Sequence, residues 1–180
     1  LPISARYGLG VAALGGKLYA VGGDADHGHI LYASSVYDPI ADSWNSIADL
    51  RLSRSHLGVA ALGGKLYAVG GTNPSGTYLD TVEVYDPIVN SWNLIAPMNM
   101  ARSQLSVAAL GGKLYAGGGA PSTGTAYLSV EVYDPMDPNG GWTYIAQNSS
   151  ISRNGLGLVA LGGKLYVVGG QDHEGTYFSA

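Results

Sequence analysis

Short apolar stretches recur along the whole chain, separated by glycine and polar clusters. In the first unit, Val11–Leu14 is followed by the doublet Gly15-Gly16 and then by Leu18–Val21. Two apolar stretches joined by two glycines predict a β-hairpin, because glycine readily adopts the positive φ angles of tight hairpin turns. No stretch of useful length follows the 3.6-residue apolar period of a helix. The pattern therefore predicts an all-β fold.

The second half of each unit predicts two further strands. Thr81–Tyr85 alternates polar and apolar residues and places Val82 and Val84 on one face. Asp86-Pro87 interrupts this stretch, because proline cannot donate a hydrogen bond to a sheet. Trp92–Ile95 is the fourth apolar stretch. Four short antiparallel strands in a unit of roughly 48 residues are typical of one propeller blade.

The apolar pattern belongs to an internal repeat. Residues 11–23 and 59–71 carry the same letters, VAALGGKLYAVGG, while residues 107–119 differ from them at one position and residues 158–170 at three. We therefore interpret residues 1–180 as a single repeat region of about 3.7 units. The predicted units are approximately 1–49, 50–97, 98–148 and an incomplete 149–180.

Three kinds of residue recur in register with the glycine doublets that end each VAALGGKLYAVGG-like stretch. They are Tyr37, Tyr85 and Tyr133; Trp44, Trp92 and Trp142; and Arg6, Arg54, Arg102 and Arg153. In these positions the chain resembles the kelch family of β-propellers, which most often have six blades. The resemblance implies kelch-type blades of four antiparallel strands, forming a partial propeller or a four-blade arc. Because the fourth unit stops before its last two strands, we expect a homo-oligomer or a segment of a larger propeller.

Residues that recur once per blade are expected to pack neighbouring blades. We therefore expect Trp92 to be structural, and Trp142 to be less constrained because a longer turn precedes it. The repeated Arg is expected to bind carbonyls or an Asp of a neighbouring unit.

Composition and charge exclude several classes of function. The net charge is −4, from 13 acidic and 9 basic residues, so no basic footprint exists for nucleic acid or an anionic membrane. The chain has no cysteine, which excludes disulfides, thiolate zinc sites and a cysteine nucleophile. No apolar run reaches the length of a membrane helix, and Leu1–Ser4 does not read as a signal peptide. We expect a cytoplasmic protein.

Binding is expected where the repeat is broken, because variable loops on a rigid scaffold carry recognition. In an antiparallel blade, the loop after the glycine doublet and the loop into the next unit reach the same side, which we call the loop face. Tyr7, His56, Gln104 and Gly155 follow the repeated Arg and are interpreted as one set of equivalent, variable positions. The candidate partner-binding residues are Tyr7, Asp24, Asp26, His27, His29, His56, Asn73, Gln104, Asp172, His173 and Glu174.

Three interpretations of these loops stay open. They could be solvated polar loops, an acidic and histidine-bearing face for a basic peptide, or a metal site. No pair of metal-ligating residues has the helical i, i+4 spacing, so we expect neither a metal nor a cofactor.

The kelch resemblance implies a non-catalytic protein–protein interaction module. It would serve in substrate recognition for a cullin-type ubiquitin ligase or in an actin-associated scaffold. The alternative is a sugar-acid isomerase-like or other carbohydrate-active kelch enzyme. The family's copper oxidase needs a Tyr–Cys crosslink, which a chain without cysteine cannot form. An isomerase needs convergent Arg, Glu and His, whereas Glu83 and Glu131 recur in register as structural residues do. We expect a protein without enzymatic activity.

Overall fold

Every predicted Gly-Gly-Lys hairpin is present in the computed structural model, which describes residues 5–121, 128–148, 153–172 and 174–179. The first unit contains β1 (Gly10–Leu14), β2 (Lys17–Val21), β3 (Asp24–Ala25), a 3₁₀ turn (Asp26–Gly28), β4 (His29–Ile30), β5 (Ser34–Asp38) and β6 (Ser43–Ser46). The second contains β7 (Gly58–Leu62), β8 (Lys65–Val69), β9 (Val82–Asp86) and β10 (Ser91–Ile95).

The third unit has the same four long strands and two short ones. It contains β11 (Arg102–Ser103), β12 (Ser106–Leu110), β13 (Lys113–Gly117), β14 (Ala120–Pro121), β15 (Leu128–Tyr133) and β16 (Trp142–Asn148). The register of β15 against β16 shifts between Val130 and Glu131. The fourth unit contributes β17 (Gly157–Leu161) and β18 (Lys164–Val168).

Each of the first three units folds into one antiparallel sheet of four strands. The orders are β1-β2-β5-β6, β7-β8-β9-β10 and β12-β13-β15-β16, while β17 pairs with β18. No α-helix occurs in the described ranges. The all-β prediction with four antiparallel strands per blade is confirmed.

The first strands of successive blades pack side by side at the centre. A Cβ atom on Gly10 would overlap Val59, and one on Gly58 would overlap Val107. Glycine at these positions therefore lets the innermost strands approach closely. Leu66 and Leu114, one strand further out in the same blades, are completely buried between sheets.

Each buried Trp ties its blade to the preceding one. Trp92 is 3% exposed, its indole N–H donates to the Ala48 carbonyl at 3.0 Å, and its ring lies 5.1 Å from that of Tyr85. Trp142 is 5% exposed and donates to the Ala96 carbonyl at 3.1 Å. The longer turn before Trp142 leaves this residue as buried and as well bonded as Trp92.

The repeated Arg binds backbone carbonyls, as predicted, but within its own unit, and its acidic partner is a Glu of that unit and not an Asp of a neighbouring one. Arg54 donates to the carbonyls of Gly70 and Thr81, both at 2.9 Å, and to the Glu83 carboxylate at 2.8 Å. The same Glu83 accepts hydrogen bonds from two backbone N–H groups, those of Arg51 and Leu52. Burial lowers the pKa of Arg54, and Glu83 opposes that effect. The ion pair fixes the loop between blades to the middle of the sheet.

The first blade lacks this carboxylate. Ser35 occupies the position of Glu83 and Glu131, and its hydroxyl is 3.4 Å from the Arg6 guanidinium. Arg6 still donates to the carbonyls of Gly22 and Ala33, at 3.0 and 2.8 Å. The carbonyl contacts of the Arg therefore persist without the ion pair.

The opposite side of the sheets, which we call the turn face, carries the Gly-Gly-Lys turns and the Asp-Pro turns. Here lysine and aspartate pair across the two turns of each blade: Lys17 with Asp38, Lys65 with Asp86 and Lys113 with Asp134, at 2.9, 3.2 and 3.1 Å. The Lys17 hydrogen bond lowers the pKa of Asp38. The backbone N–H of Ile88, and then Lys65, lower the pKa of Asp86, and Met136 and Lys113 act likewise on Asp134.

These turns predict a specific acid sensitivity. A carboxylate whose folded-state pKa is lowered contributes stability that is present above its ordinary pKa of about 4 and lost as the pH falls through the lowered value. We expect the melting temperature of the wild type to fall between about pH 6 and about pH 2.5, and to fall less in the triple variant Asp38→Asn, Asp86→Asn, Asp134→Asn. Equal decreases would assign the acid sensitivity to other carboxylates.

The outer faces of the two terminal blades are less covered than the faces between blades. Leu18 is 42% exposed although its equivalents Leu66 and Leu114 are fully buried. At the other end Tyr166 and Val168 are each 45% exposed, while the equivalent Val69 is fully buried. The expectation of a homo-oligomer or a segment of a larger propeller stays a prediction.

Candidate functional site

The structure brings the two predicted loop sets together on the loop face. The residue after each repeated Arg pairs with the residue after the glycine doublet: Tyr7 with Asp24, Ser55 with Thr72, Ser103 with Ala120 and Asn154 with Gln171. The doublets allow this approach because a Cβ on Gly71 would lie 2.6 Å from the Ser55 carbonyl oxygen. Both loop sets are thus held by the backbone, and their side chains are free to vary.

A belt of backbone hydrogen bonds crosses from blade to blade on this face. The N–H of His56 donates to the Gly8 carbonyl at 2.6 Å, Gln104 N–H to the His56 carbonyl at 2.9 Å, and Gly155 N–H to the Gln104 carbonyl at 3.0 Å. We call Gly8, His56, Gln104 and Gly155 the belt positions. Each one donates to, or accepts from, the equivalent residue of its neighbour.

All four belt positions have a left-handed backbone, with φ of +60° at Gly8, +54° at His56, +57° at Gln104 and +63° at Gly155. This corrects the sequence interpretation of Tyr7. Gly8, and not Tyr7, is the equivalent of His56 and Gln104, because Tyr7 directly follows Arg6 and occupies the position of Ser55. The signal available in the sequence was glycine at the second position after Arg6 and Arg153, where a positive φ favours it.

Tyr7 nevertheless lies beside the belt. Its side chain is 60% exposed, and its ring makes an edge contact with His56 at a centroid distance of 6.0 Å. The His56 ring also covers Gly8, since a Cβ atom there would lie 3.1 Å from the ring. His56 Nδ1 is 3.2 Å from the Ser55 hydroxyl. Tyr7 and His56 therefore form one aromatic contact between the first two blades.

Asp24 is not a solvated loop residue. Its side chain is 7% exposed, and Oδ1 is buried without a hydrogen-bond partner among the described residues. The equivalent Thr72 donates its hydroxyl proton to Ser103 in the next blade at 2.7 Å. Burial of this carboxylate oxygen distinguishes Asp24 from the exposed carboxylates of the loops.

Two other predicted residues hold their own loops. Asn73 Oδ1 accepts hydrogen bonds from the N–H groups of Ser75 and Thr77, at 3.1 and 2.9 Å. Asp172 Oδ1 does the same for Glu174 and Thr176, at 3.0 and 2.8 Å. In both residues this oxygen is occupied in shaping a turn.

The remaining candidates lie in the loops of the first and last units. Asp26 and His27 are in the 3₁₀ turn, and His29 begins β4. Asp26, His29 and Glu174 are exposed. His173 lies outside the described residues.

A cleft of about 260 Å³ opens on the loop face between the third and fourth units. It is lined by Gln104, Asn154, Gly155, Gly170, Gln171 and Tyr177. Of these, Gln104 belongs to the candidate partner-binding residues, and Gly155 to the set of variable positions that follow the repeated Arg. Asn154, Gln171 and Tyr177 are not among the candidates, because they reach the cleft through pairing within the fourth unit and through the Gly155–Gln104 hydrogen bond between blades, which no local pattern reports.

The lysines are confined to the turn face, where three of them pair with aspartates. All four lysines of the chain, Lys17, Lys65, Lys113 and Lys164, begin second strands at the turn face. Each Arg side chain donates to a backbone carbonyl, as Arg51 does to Trp92 and Arg153 to Gly169. Asp26, Asp80 and Glu174 are exposed and belong to the loops that follow the glycine doublets. These loops therefore give the loop face exposed carboxylates and no lysine.

The described residues contain neither a metal-binding cluster nor a membrane-spanning helix. No group of three His, Asp or Glu there has the geometry to hold a metal ion. No helix in the same ranges is long and apolar enough to cross a membrane.

Sheets of four antiparallel strands, packed face to face around their first strands, define the chain as a β-propeller domain. The Kelch motif matches residues 5–51, 53–99 and 152–179, so the chain belongs to the kelch-repeat family. No curated protein matches the chain in sequence.

Among solved structures, that of YjhT is similar, with a TM-score of 0.83 and 18% sequence identity over 94% of this chain. The match spans 60% of the YjhT chain. At this identity the likeness concerns the fold alone.

Proposed function

We propose that this chain is a non-catalytic recognition module that binds a protein or peptide through its loop face. The observation that carries the proposal is the backbone of His56 and Gln104. A side chain in the left-handed region costs about 1–2 kcal/mol relative to glycine. Gly8 and Gly155 occupy the same belt position without that cost, so the two side chains are retained for something other than folding.

Comparison with the other left-handed residues supports this interpretation. Asn90 has a φ of +50°, and its Oδ1 accepts hydrogen bonds from Tyr85 and from the Ala48 N–H, both at 2.9 Å. Asp42, with a φ of +46°, accepts a hydrogen bond from Tyr37. The Gln104 side chain is exposed and has no such partner in the described chain. Among the described residues, no side-chain hydrogen bond compensates the left-handed backbone of Gln104.

The charge of the loop face favours a basic partner. Exposed carboxylates lie in the loops of this side, and the lysines lie on the other. Charge complementarity of this kind selects partners and speeds association.

The carboxylates that an isomerase would use support a non-catalytic role. Glu83 and Glu131 are completely buried, and each is paired with an arginine and bonded to backbone N–H groups. A carboxylate so engaged is poorly placed to move protons on a substrate. Recognition for a cullin-type ubiquitin ligase or an actin-associated scaffold is a finer proposal, which the identity of the partner would decide.

The test starts from peptides selected against the chain in a random display library. We expect the triple variant Tyr7→Ala, His56→Gly, Gln104→Gly to lose binding of these peptides, measured by fluorescence anisotropy, because exposed aromatic and strained polar side chains are removed. Its melting temperature should change little, since glycine suits both belt positions.

The matched control is the triple variant Lys17→Ala, Lys65→Ala, Lys113→Ala on the turn face. We expect it to bind the selected peptides as the wild type does. If the lysine variant loses binding and the loop-face variant keeps it, the proposal is wrong.

A further inference from the structure

The cleft at the third and fourth units has a chemical character distinct from the rest of the loop face. All six residues that line it are uncharged, and three of them, Gln104, Asn154 and Gln171, carry carboxamides. Tyr177, which is 80% exposed, forms one wall. No charged side chain lines the cleft, so a charged group entering it would meet no opposite charge there. The cleft therefore suits a neutral polar group.

The carboxamides of the cleft have unused hydrogen-bonding capacity. Within the described ranges, the side chains of Gln104, Asn154 and Gln171 make no hydrogen bond, whereas Asn73 in the second unit binds the N–H groups of its own loop. Each free carboxamide offers two N–H donors and one oxygen acceptor. The cleft thus presents several donors and acceptors together.

These side chains start from fixed backbone positions. Asn154 and Gln171 exchange two backbone hydrogen bonds, at 2.9 and 3.1 Å, and the Gln104 carbonyl accepts from Gly155. Gly170 lets the backbones of residues 154 and 170 approach closely, because a Cβ atom on Gly170 would lie 3.1 Å from the Asn154 carbonyl oxygen. Backbone ordering of this kind lowers the entropic cost of binding.

A carboxamide is complementary to another amide, since each contributes one donor and one acceptor to a paired contact. An extended peptide presents such groups at every residue. The loop beside the cleft carries Asp172 and Glu174, which favours basic residues on the flanks of that peptide.

We propose that this cleft binds the backbone amides of a short, neutral, extended segment of a partner peptide, flanked by basic side chains. The inference rests on the proposed function and names the ligand chemistry of one part of the loop face. About two residues of the peptide would occupy the cleft, and Gln104, Asn154 and Gln171 would bind their N–H and C=O groups.

The probe is the capped peptide acetyl-Lys-Lys-Gly-Asn-Gly-Ser-Lys-Lys-amide, compared with the same peptide N-methylated at Asn and at the second Gly. We expect the unmethylated peptide to shift the side-chain NH₂ signals of Gln104, Asn154 and Gln171 in ¹H–¹⁵N spectra. The methylated peptide should bind about tenfold more weakly, as expected for the loss of two neutral hydrogen bonds. In Gln104→Gly this ratio should fall, because one of the three carboxamides that bind the peptide is removed.

The matched variant is His56→Gly, which changes the equivalent belt position outside the cleft. It lowers total affinity under the proposed function but should keep the tenfold methylation ratio. A ratio of one in the wild type, or peptide-induced shifts confined to Tyr7 and His56, would overturn the inference and leave the proposed function standing. So would shifts of the cleft signals by methyl glucoside and not by the peptide. The proposed function itself fails only if library-selected peptides also bypass the loop face.

Discussion

Replacing Trp92 by Ala is expected to lower the free energy of unfolding by about 3–5 kcal/mol, the usual cost of truncating a fully buried Trp. The change removes the hydrogen bond to the Ala48 carbonyl and the packing against Tyr85, so the second blade loses contacts with the first. Urea denaturation followed by circular dichroism would measure the loss as a lower midpoint at an unchanged slope.

Trp44 provides the matched control, because it occupies the same position in the first blade. It contacts Tyr37 at a ring distance of 5.3 Å but is only half-buried. We expect Trp44→Ala to cost clearly less than Trp92→Ala, at about 1–2 kcal/mol, in proportion to its burial. Equal costs for the two variants would contradict the assignment of Trp92 to a packed interface between blades.

Glu83→Gln is expected to have an effect of similar size. The substitution preserves shape but leaves the Arg54 charge buried without its counter-ion, and breaking a buried pair in this way typically costs about 3–5 kcal/mol. It also replaces one of the acceptor oxygens that bind the N–H groups of Arg51 and Leu52. The same denaturation measurement would report the loss.

The double variant Arg54→Met, Glu83→Gln separates the ion pair from the general effect of mutation. Removing both charges eliminates the uncompensated ion, so the double variant should lose less stability than the sum of the two single variants. Strict additivity would mean that the two groups do not interact across their 2.8 Å contact.

The strands could be predicted because each one depends on residues that are close together in the sequence. Apolar stretches broken by Gly15-Gly16 and by Asp-Pro define hairpins, and the structure extends each predicted strand of the first hairpin by a single residue, to Gly10 and Lys17. Turn residues and the alternation of apolar and polar side chains are therefore sufficient to predict the strands and their hairpins.

The partners of the buried charges were not predictable in the same way. The Arg54–Glu83 pair joins residues 29 positions apart, and only the sheet brings them together. A signal did exist, since Glu83 and Glu131 recur in register with Arg54 and Arg102 while Ser35 breaks the series. It could suggest a pairing but not its geometry.

The candidate site was predictable as a face but not as a set of contacts. Antiparallel topology places both loop sets on one side, and the residue pairs across them follow that arrangement. The buried position of Asp24 and the turn-forming role of Asn73 depend on hydrogen bonds that residue type alone does not specify. The interpretation of Tyr7 as the equivalent of His56 and Gln104 is wrong, because Tyr7 directly follows Arg6 and the positive φ lies at Gly8.

The belt of backbone hydrogen bonds makes the contacts between blades independent of the side chains that face a partner. Because each bond is made by N–H and C=O groups, the side chain at a belt position can be exchanged without cutting the link between blades. The chain already contains three solutions at this position: glycine, histidine and glutamine. Duplicated blades can therefore diverge one residue at a time, and the surface they share can acquire a new specificity while the scaffold stays the same.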